Sequence, residues 1–473
     1  MFINGEWIQS DKTFAVYNPA NGEEIGQVTD GTRNDAKRAI DAAQAAMPGW
    51  SALTTYQRSD YLRRAYDLMI ERKKELAELM TREQGKPFKA AMAEVQYGAD
   101  YLLWFAEEVK RSYGETIPSA RPDQRFLVQH MPVGVVAAVT PWNYPVSMIT
   151  RKVAPAIAAG CTIVLKPAEA TPLCAIAIFK ILEEVGIPAG VVNLVTTHDP
   201  APVGKEFCTN PIVRKLTFTG STAVGKKLAQ DAAPQLKRVS MELGGHAPFI
   251  VFDDADPVHA AKGASLVKFL NTGQACISPN RIFVQRSILE PFLAEFENRV
   301  AKMKAGNGME QGVNIGPLVN VAAVNKVNNQ VVDAVEKGAK LHAGGQVLTE
   351  AGLDQGHFYA PTLLSGVTEE MLIYREETFG PVAAVIPFDT QEEVLAKAND
   401  TNYGLAAYVY TTNMSRAMRM FEGLQFGMVG INDINPTSAA APFGGMKESG
   451  LGREGAREGL MEYYETKLAG ISI

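Results

Sequence analysis

The segment Val133-Gly-Val-Val-Ala-Ala-Val-Thr140 is apolar at almost every position and shows no alternation of apolar and polar residues. Three comparable runs follow it, separated by segments with helical character: CTIVLKP at 161–167, VVNLVT at 191–196 and KLTFTG at 215–220. Strands that are apolar throughout and alternate with helices are typical of a parallel sheet covered on both faces. The sequence therefore predicts a doubly wound α/β domain, although this pattern alone does not specify a ligand.

Regions on both sides of these strands extend the prediction. Residues 2–28 indicate short strands with turns at Asn-Gly pairs, and residues 32–111 are helical in pattern. Residues 115–129 are polar and extended, and residues 462–473 form a strand-like tail. A second α/β region begins near Gly245, with strands predicted at FIVFDD, RIFVQ, AAVIPF, AAYVYT and GMVGIN.

The composition excludes several classes of protein. The chain has 473 residues with a net charge of −6, 46% apolar and 21% charged residues, which are ordinary globular values. The acidic balance argues against a nucleic-acid surface, and the length predicts two or three domains. No apolar run reaches the roughly 20 residues of a membrane span, and the first residues lack the features of a secretory leader. We therefore expect a cytoplasmic protein without a membrane partner.

Two glycine-rich segments resemble phosphate-binding motifs. The segment Gly220-Ser-Thr-Ala-Val-Gly225-Lys-Lys227 follows a strand and opens a helix, where exposed N–H groups attract a pyrophosphate. Lys227 stands where a P-loop has Ser or Thr, which disfavours kinase-type chemistry, and a plain strand-to-helix turn explains the segment equally simply. The segment 450–455 matches G-x-G-x-x-G without a preceding strand, and we interpret it as a chance match.

Lys166 and Glu169 follow the strand CTIVL directly. The carboxyl ends of parallel strands are where such sheets bind ligands, so Glu169 is a candidate acceptor for ribose hydroxyls. A carboxylate there would also repel a 2′-phosphate, which favours NAD over NADP. A salt bridge at the surface is an equally good interpretation of this pair alone.

One of the four cysteines differs from the others in its surroundings. Cys276 lies in Asn271-Thr-Gly-Gln-Ala-Cys-Ile-Ser-Pro279, a loop of small polar residues with room for a substrate, as a reactive thiol requires. Glu242, before a Gly-Gly pair, is a candidate general base, and Asn143 is a candidate donor to an oxyanion. An inert cysteine, a solvated glutamate and a simple turn are the competing interpretations. The remaining cysteines are best read as small buried apolar residues: Cys161, Cys174 and Cys208.

The order of these segments along the chain is more specific than any one of them. In that order and spacing, the chain resembles the aldehyde dehydrogenase superfamily over essentially its whole length. Seven motifs carry the resemblance: Pro141-Trp142-Asn143, Lys166-Pro-Ala-Glu169, Phe218-Thr-Gly-Ser221, Glu242-Leu-Gly-Gly245, Gly273-Gln-Ala-Cys276, Glu376-Glu377-Thr-Phe379-Gly-Pro381 and Pro442-Phe443-Gly-Gly445.

The resemblance implies an architecture of three parts. A Rossmann-like NAD-binding domain would comprise residues 1–113 and 133–243, and a second α/β catalytic domain would comprise residues 244–454. A small β oligomerisation arm would comprise residues 114–132 and 455–473. Its last strand would extend a partner's sheet in a homodimer or homotetramer.

The resemblance also implies the role of each motif residue. Cys276 would be the nucleophile, Glu242 the general base and Asn143 an oxyanion donor, with no metal involved. NAD would be the preferred cofactor because of Glu169, with NADP possible. The implied cofactor contacts are Trp142, Lys166, Glu169, Gly220, Ser221, Gly225, Glu377 and Phe379.

Within the superfamily the chain is most similar to the succinate-semialdehyde dehydrogenase group. Arg151, about two turns along the predicted helix that follows Asn143, would bind a distal carboxylate, with Ser438 and Phe443 nearby. Leu270 stands where the group usually has a second arginine, which suggests glutarate semialdehyde, 2-oxoglutarate semialdehyde or a broader range of aliphatic aldehydes as alternatives. A structural salt bridge is the competing interpretation of Arg151.

Two other classes of function remain as alternatives. A CoA-acylating dehydrogenase would normally lack the glutamate base, so Glu242 argues against it. A catalytically silent binding protein on the same fold is disfavoured because Cys276, Glu242 and Asn143 are all intact.

Overall fold

The computed structural model describes residues 1–473 and is built around two open, mostly parallel sheets. The mixed α/β class predicted from the buried strands is confirmed. The first sheet has eight strands; its five central strands are parallel, and the short strands at its edges are antiparallel. In spatial order they are Glu6–Trp7, Phe2–Ile3, Val192–Leu194, Thr162–Lys166, Val135–Val139, Val213–Thr219, Arg238–Glu242 and Gly450–Leu451.

Helices cover both faces of this sheet, and local signals in the sequence set their ends. In the first helix, Thr32 accepts a hydrogen bond from the Asp35 N–H while the Asp35 carboxylate accepts one from the Thr32 N–H, which together form a capping box. Gly160, at φ +92°, ends the helix that precedes the second parallel strand. The helices are Arg33–Ser51, Thr55–Glu71, Lys73–Gln84, Phe88–Glu108, Ser147–Ala159, Pro172–Glu184, Pro200–Thr209, Thr222–Ala232 and Ala456–Met461.

The second sheet has seven strands, all parallel except the first, which pairs antiparallel with its neighbour. In spatial order they are Lys340–Ala343, Thr362–Ser365, Val382–Phe388, Pro279–Gln285, Ala247–Val251, Ala406–Tyr410 and Met428–Ile431. The helices packed on it are Pro257–Lys268, Leu289–Val300, Val321–Glu336, Leu372–Arg375, Gln391–Asn399 and Met414–Gly423.

Three smaller β units stand beside the two main sheets. The largest pairs Glu115–Ile117 and Tyr464–Ser472 with Gln124–Pro132, all antiparallel, so the polar segment and the chain end form one three-stranded sheet. The other two are the pairs Thr13–Tyr17 with Glu24–Thr29 and Lys304–Ala305 with Val313–Ile315. The 3₁₀ turns are Val109–Arg111, Ala233–Gln235, Leu270–Gly273, Arg286–Ile288, Leu353–Gln355 and Lys447–Ser449.

The chain returns to the first sheet earlier than the predicted boundary at residue 454. Gly450–Leu451 pairs with Arg238–Glu242, and the helix Ala456–Met461 packs against Phe88–Glu108 and Ser147–Ala159. These short elements lie in a glycine-rich segment whose partners are far away in sequence, so no local periodicity marks them. None of the helices combines the length and the apolar composition that crossing a bilayer would require.

Candidate active site

Cys276 ends a loop with an unusual backbone. Asn271 and Thr272 both have positive φ values, 50° and 60°, and Gly273 follows at 74°. A β-branched residue in this region is strained, and such strain persists only where the surroundings enforce it. The Thr272 hydroxyl accepts a hydrogen bond from the Gly316 N–H at 2.9 Å and donates to the Gly316 carbonyl at 3.2 Å, which anchors the loop. The thiol is thus presented by a rigid turn.

Cys276 lies where two cavities meet. The larger, of about 420 Å³, is mostly apolar, and the smaller, of about 260 Å³, opens at the carboxyl ends of the first sheet's strands. Cys276 and Met148 line both cavities. A reactant in one cavity and a second molecule in the other would therefore meet at the thiol.

Asn143 is buried next to the thiol loop. It follows the strand Val135–Val139, lines the smaller cavity and donates from Nδ2 to the Gln274 carbonyl at 3.0 Å. An amide nitrogen carries two hydrogens, so one remains for an oxyanion formed at Cys276. The structure thus brings together two residues that are 133 positions apart in sequence.

Glu242 is the last residue of the strand Arg238–Glu242 and is only 3% exposed. Neither of its carboxylate oxygens has a hydrogen-bond partner. Burial, and next the charge of Glu454, raise the pKa of Glu242 well above its usual range, although Arg151 and Lys152 oppose this shift. Glu242 itself lines neither cavity, whereas Leu243 and Gly244 line the smaller one.

Burial also dominates the acidity of the thiol. It raises the pKa of Cys276 to about 12, with smaller contributions from the negative charges of Glu242 and Glu377 and an opposing one from Arg151. The thiol is therefore protonated near neutral pH, and its proton must pass to a base when sulfur forms a bond. The high proton affinity of Glu242 suits it to that role.

Aromatic and acidic side chains line the smaller cavity. The rings of Trp142 and Phe379 meet edge to face with centroids 5.7 Å apart, and Phe379 has a positive φ of 56°. Glu377 accepts a hydrogen bond from the Gly245 N–H at 2.9 Å, and burial raises its pKa. Ser221, which precedes the helix Thr222–Ala232, has a hydroxyl that makes no capping hydrogen bond.

Three of the predicted cofactor residues lie away from this cavity's lining. Lys166 and Glu169 form a direct ion pair at the end of the strand Thr162–Lys166, with Lys166 buried and Glu169 partly exposed. Gly225 packs against Leu243, since an added Cβ would lie 2.3 Å from its Cδ2. Close packing of the helix Thr222–Ala232 against Leu243 is therefore one structural requirement for glycine at position 225.

Arg151 is fully buried and lines the larger cavity. Its guanidinium carbon lies 3.9 Å from the centroid of the Phe443 ring. Its Nη2 lies 2.9 Å from Glu454 Oε2, which is close enough for an ion pair, but the two atoms do not form a hydrogen bond. Nη1 reaches only the thioether of Met148, at 3.5 Å, and Nε donates to nothing. Arg151 therefore forms an ion pair with Glu454, as a structural role requires. It also keeps unused hydrogen-bond donors in the wall of the cavity, as carboxylate binding requires.

The other predicted substrate residues differ in their placement. Leu270 is 42% exposed and lines the larger cavity with Phe443. Ser438 is exposed and outside the lining, because its hydroxyl accepts the Ala440 N–H at 3.2 Å in a local turn. Its neighbour Thr437 lines the cavity.

Sequence reasoning missed three charged residues of this region. Glu454 pairs with both Arg151 and Lys152, while Lys86 and Glu94 pair with each other beside Asn143. The only sequence signal was that charged residues stand within otherwise apolar or glycine-rich segments.

Comparisons with known proteins identify the family of this chain. The profile of the Aldehyde dehydrogenase family matches residues 7–469. A glutarate-semialdehyde dehydrogenase of Pseudomonas putida is 49% identical, over 100% of this chain and 97% of that protein. A succinate-semialdehyde dehydrogenase [NADP(+)] of Escherichia coli is 48% identical, over 100% of this chain and 97% of that protein. A crystal structure of betaine aldehyde dehydrogenase from Staphylococcus aureus in complex with NAD+ superposes with a TM-score of 0.97 at 38% identity, covering 100% of this chain and 94% of that chain. The chain belongs to the aldehyde dehydrogenase family.

Proposed function

We propose that the protein oxidises an aldehyde bearing a distal anionic group to the carboxylic acid, with NAD(P) as hydride acceptor. One observation carries this proposal: Cys276 lies at the junction of two cavities, and the larger holds the buried, donor-rich Arg151. The two relatives described above are named for aldehydes that carry a second carboxylate.

The smaller cavity has features that fit a dinucleotide. It lies at the carboxyl ends of parallel strands, and the first N–H groups of the helix Thr222–Ala232 have no acceptor within that helix. The unbonded hydroxyl of Ser221 and the Trp142–Phe379 pair offer polar and aromatic contacts at its two ends. When bound there, the nicotinamide would accept a hydride at the thiol.

The chain's own residues account for the first half of the reaction. Glu242 takes the proton as the Cys276 sulfur adds to the aldehyde carbon, giving a thiohemiacetal. The free Asn143 amide hydrogen and the Cys276 backbone N–H stabilise the oxyanion as it forms. Loss of hydride from that carbon leaves a thioester on Cys276.

The second half of the reaction needs a base that can accept a proton from water. Glu242 has no hydrogen-bond partner to hold its carboxylate elsewhere, and its raised pKa makes that carboxylate a stronger proton acceptor than an exposed one. Glu242 first releases the thiol proton to solvent and then accepts a proton from the water that attacks the thioester. The intermediate expels the Cys276 thiolate, which takes this proton from Glu242 as the acid departs. This assignment favours hydrolysis over transfer to coenzyme A.

The substrate class follows from the lining of the larger cavity. Lys86, the other cation there, is already paired with Glu94, so Arg151 is the cation with unused donors. Leu270 makes the neighbouring wall apolar. We infer a semialdehyde with one carboxylate of the succinate or glutarate type; a longer acid or a broad aliphatic range are the alternatives.

Replacing Arg151 with Gln should raise KM for succinate and glutarate semialdehydes by about 100-fold, because the distal carboxylate loses its charge-assisted hydrogen bonds. Butanal and pentanal should change by less than about threefold, since they make no such bonds. Steady-state kinetics with all four aldehydes, with and without coenzyme A, measures this. Arg286→Gln, at an exposed ion pair with Asp389, is the matched control. Equal changes for charged and neutral aldehydes would make Arg151 purely structural.

We further propose that NAD is preferred over NADP because the Glu169 carboxylate, at a strand end of the first sheet, repels a 2′-phosphate. Glu169→Ser should raise kcat/KM for NADP relative to NAD by about tenfold or more. Glu184→Ser, at the far end of the following helix, should leave that ratio unchanged. An unchanged ratio in Glu169→Ser would place the cofactor selectivity elsewhere.

The three-part domain division and a homodimer or homotetramer remain part of the proposal. The strand Tyr464–Ser472 exposes Leu468 at 60% and Ile471 at 41%, an apolar surface that a second copy would cover. All four cysteines are free thiols, which fits a reducing compartment, and we propose the cytoplasm.

A further inference from the structure

A buried lysine and glutamate lie against the loop that carries Asn143. Lys86 lies in the turn before the helix Phe88–Glu108, and Glu94 lies on that helix. Both side chains are 1% exposed and form a direct ion pair. Burying two charges costs free energy unless further hydrogen bonds compensate for the lost hydration. The other contacts of Lys86 and Glu94 therefore show which parts of the chain the pair stabilises.

Lys86 directs its ammonium group to three partners. These are the Glu94 carboxylate, the Asn143 carbonyl oxygen at 2.7 Å and the face of the Tyr144 ring, whose centroid is 4.0 Å away. An ammonium has three hydrogens, so all of its donors are used. Lys86 lines the larger cavity but has no donor left for a substrate.

The backbone of Asn143 is therefore held from two sides. Its carbonyl oxygen accepts from Lys86 and also from Asn271 Nδ2 at 2.9 Å, while its own Nδ2 donates to the Gln274 carbonyl at 3.0 Å. Asn271 and Gln274 belong to the loop that ends in Cys276. The Lys86 contact is thus one of three hydrogen bonds that hold Asn143 against the loop of the thiol.

The second oxygen of Glu94 holds the start of a helix. It accepts the N–H groups of Val146 and Ser147, at 3.0 and 3.2 Å. The helix Ser147–Ala159 has no side-chain cap of its own, and a carboxylate is favourable at a helix N-terminus. Arg151 lies about one turn further along that helix.

We propose that Lys86 and Glu94 are positioning residues that aim the Asn143 amide at the oxyanion formed on Cys276. The pair touches no reacting atom and acts through the backbone of Asn143 and the start of the Arg151 helix. This inference rests on the proposed role of Asn143 in aldehyde oxidation and deepens it. A displacement of about 1 Å in such a group costs up to about 100-fold in rate.

A double-mutant cycle tests the coupling, with butanal as substrate so that Arg151 has no carboxylate to bind. Lys86→Met should lower kcat by about 10- to 100-fold and change KM by less than about threefold. In an Asn143→Ala background the same substitution should lower kcat by less than about twofold, because the amide to be aimed is already gone. Lys89→Met, at an exposed position of the helix Phe88–Glu108 that follows Lys86, is the matched control.

The outcome that overturns the inference is an equal loss of kcat from Lys86→Met in both backgrounds. If Lys86→Met does not fold by circular dichroism, Glu94→Gln tests the same coupling, since it keeps an oxygen for the helix N–H groups and removes the charge. Loss of kcat in Glu94→Gln that is independent of Asn143 overturns the inference equally. Failure of the proposed substrate class would appear separately, as equal kcat/KM for butanal and succinate semialdehyde in the unmodified protein.

Discussion

Replacing Cys276 with Ala should abolish NAD(P)H formation from any aldehyde, with a loss of at least about 10⁴-fold in kcat. The thiol is at the meeting point of the two cavities, and no other nucleophilic side chain lines both of them. Spectrophotometric assay at 340 nm measures the loss. Binding of the dinucleotide, followed by fluorescence titration, should persist, because the cofactor contacts proposed above do not involve the sulfur.

The matched control for this variant is Cys208→Ala. Cys208 is buried against the first sheet and lines neither cavity, so the activity of Cys208→Ala should remain within about twofold of the unmodified protein. The raised pKa of Cys276, about 12, adds a second measurement. In the absence of cofactor, its alkylation by iodoacetamide should accelerate about tenfold per pH unit between pH 7 and 10, because the thiolate fraction does so. Turnover in Cys276→Ala above the uncatalysed rate would refute the mechanism.

Replacing Glu242 with Gln should lower steady-state kcat by about 1000-fold, which is the contribution expected of a positioned general base. Glutamine has nearly the same size as glutamate, so the substitution leaves no empty space. A lower kcat would therefore reflect the missing base. Both half-reactions lose their base in this variant, but we expect attack by water to slow more than addition of the thiol, which is the better nucleophile. The thioester should therefore accumulate on Cys276. Intact-protein mass spectrometry during turnover should show one acyl group per chain in this variant and little in the unmodified protein.

The pH profile offers an independent check on Glu242. A base must be deprotonated to act, and the pKa of Glu242 is raised by burial and by Glu454. In the unmodified protein kcat should therefore rise with pH through this raised pKa, and Glu242→Gln should lose that rise. Glu448→Gln, at an exposed pair with Lys226, should retain it. A variant with kcat within about threefold of normal, and no acyl-enzyme, would exclude Glu242 as the base.

Much of the fold was predictable because its signals are local. The run 133–140 and its three successors correspond to the strands Val135–Val139, Thr162–Lys166, Val192–Leu194 and Val213–Thr219. Strands buried on both faces must be apolar at every position, so their identity is visible without any partner. Within the helical pattern predicted over residues 32–111, the helix Thr55–Glu71 ends at Arg72 and Lys73–Gln84 begins directly after it. The apolar periodicity continues across this one residue, so it does not reveal the break.

The candidate site was predictable only in part. The setting of Cys276, a loop of small polar residues after a helix, separates it from the other three cysteines, which the structure buries in two hydrophobic clusters around the first sheet. The motifs predict ligand contacts for Ser438 and Gly225, and the structure adds the local contacts of each: Ser438 bonds within its own turn, and Gly225 packs against Leu243. A motif gives the position of a residue along the chain and leaves the direction of its side chain undetermined.

The sequence by itself determined the alternation of buried strands and helices, the distinction of Cys276 among four cysteines, and membership in a family through the order of seven motifs. Only the tertiary structure decided that Glu242 lies unpartnered, that Arg151 keeps free donors beside Glu454, and that Lys86 reaches the carbonyl of Asn143. The physical reason is range. Burial and helical periodicity can be inferred from residues that are close together in sequence. The partners of a buried charge lie farther away in sequence, in several cases more than fifty residues, and they come into contact only when the sheets and helices pack.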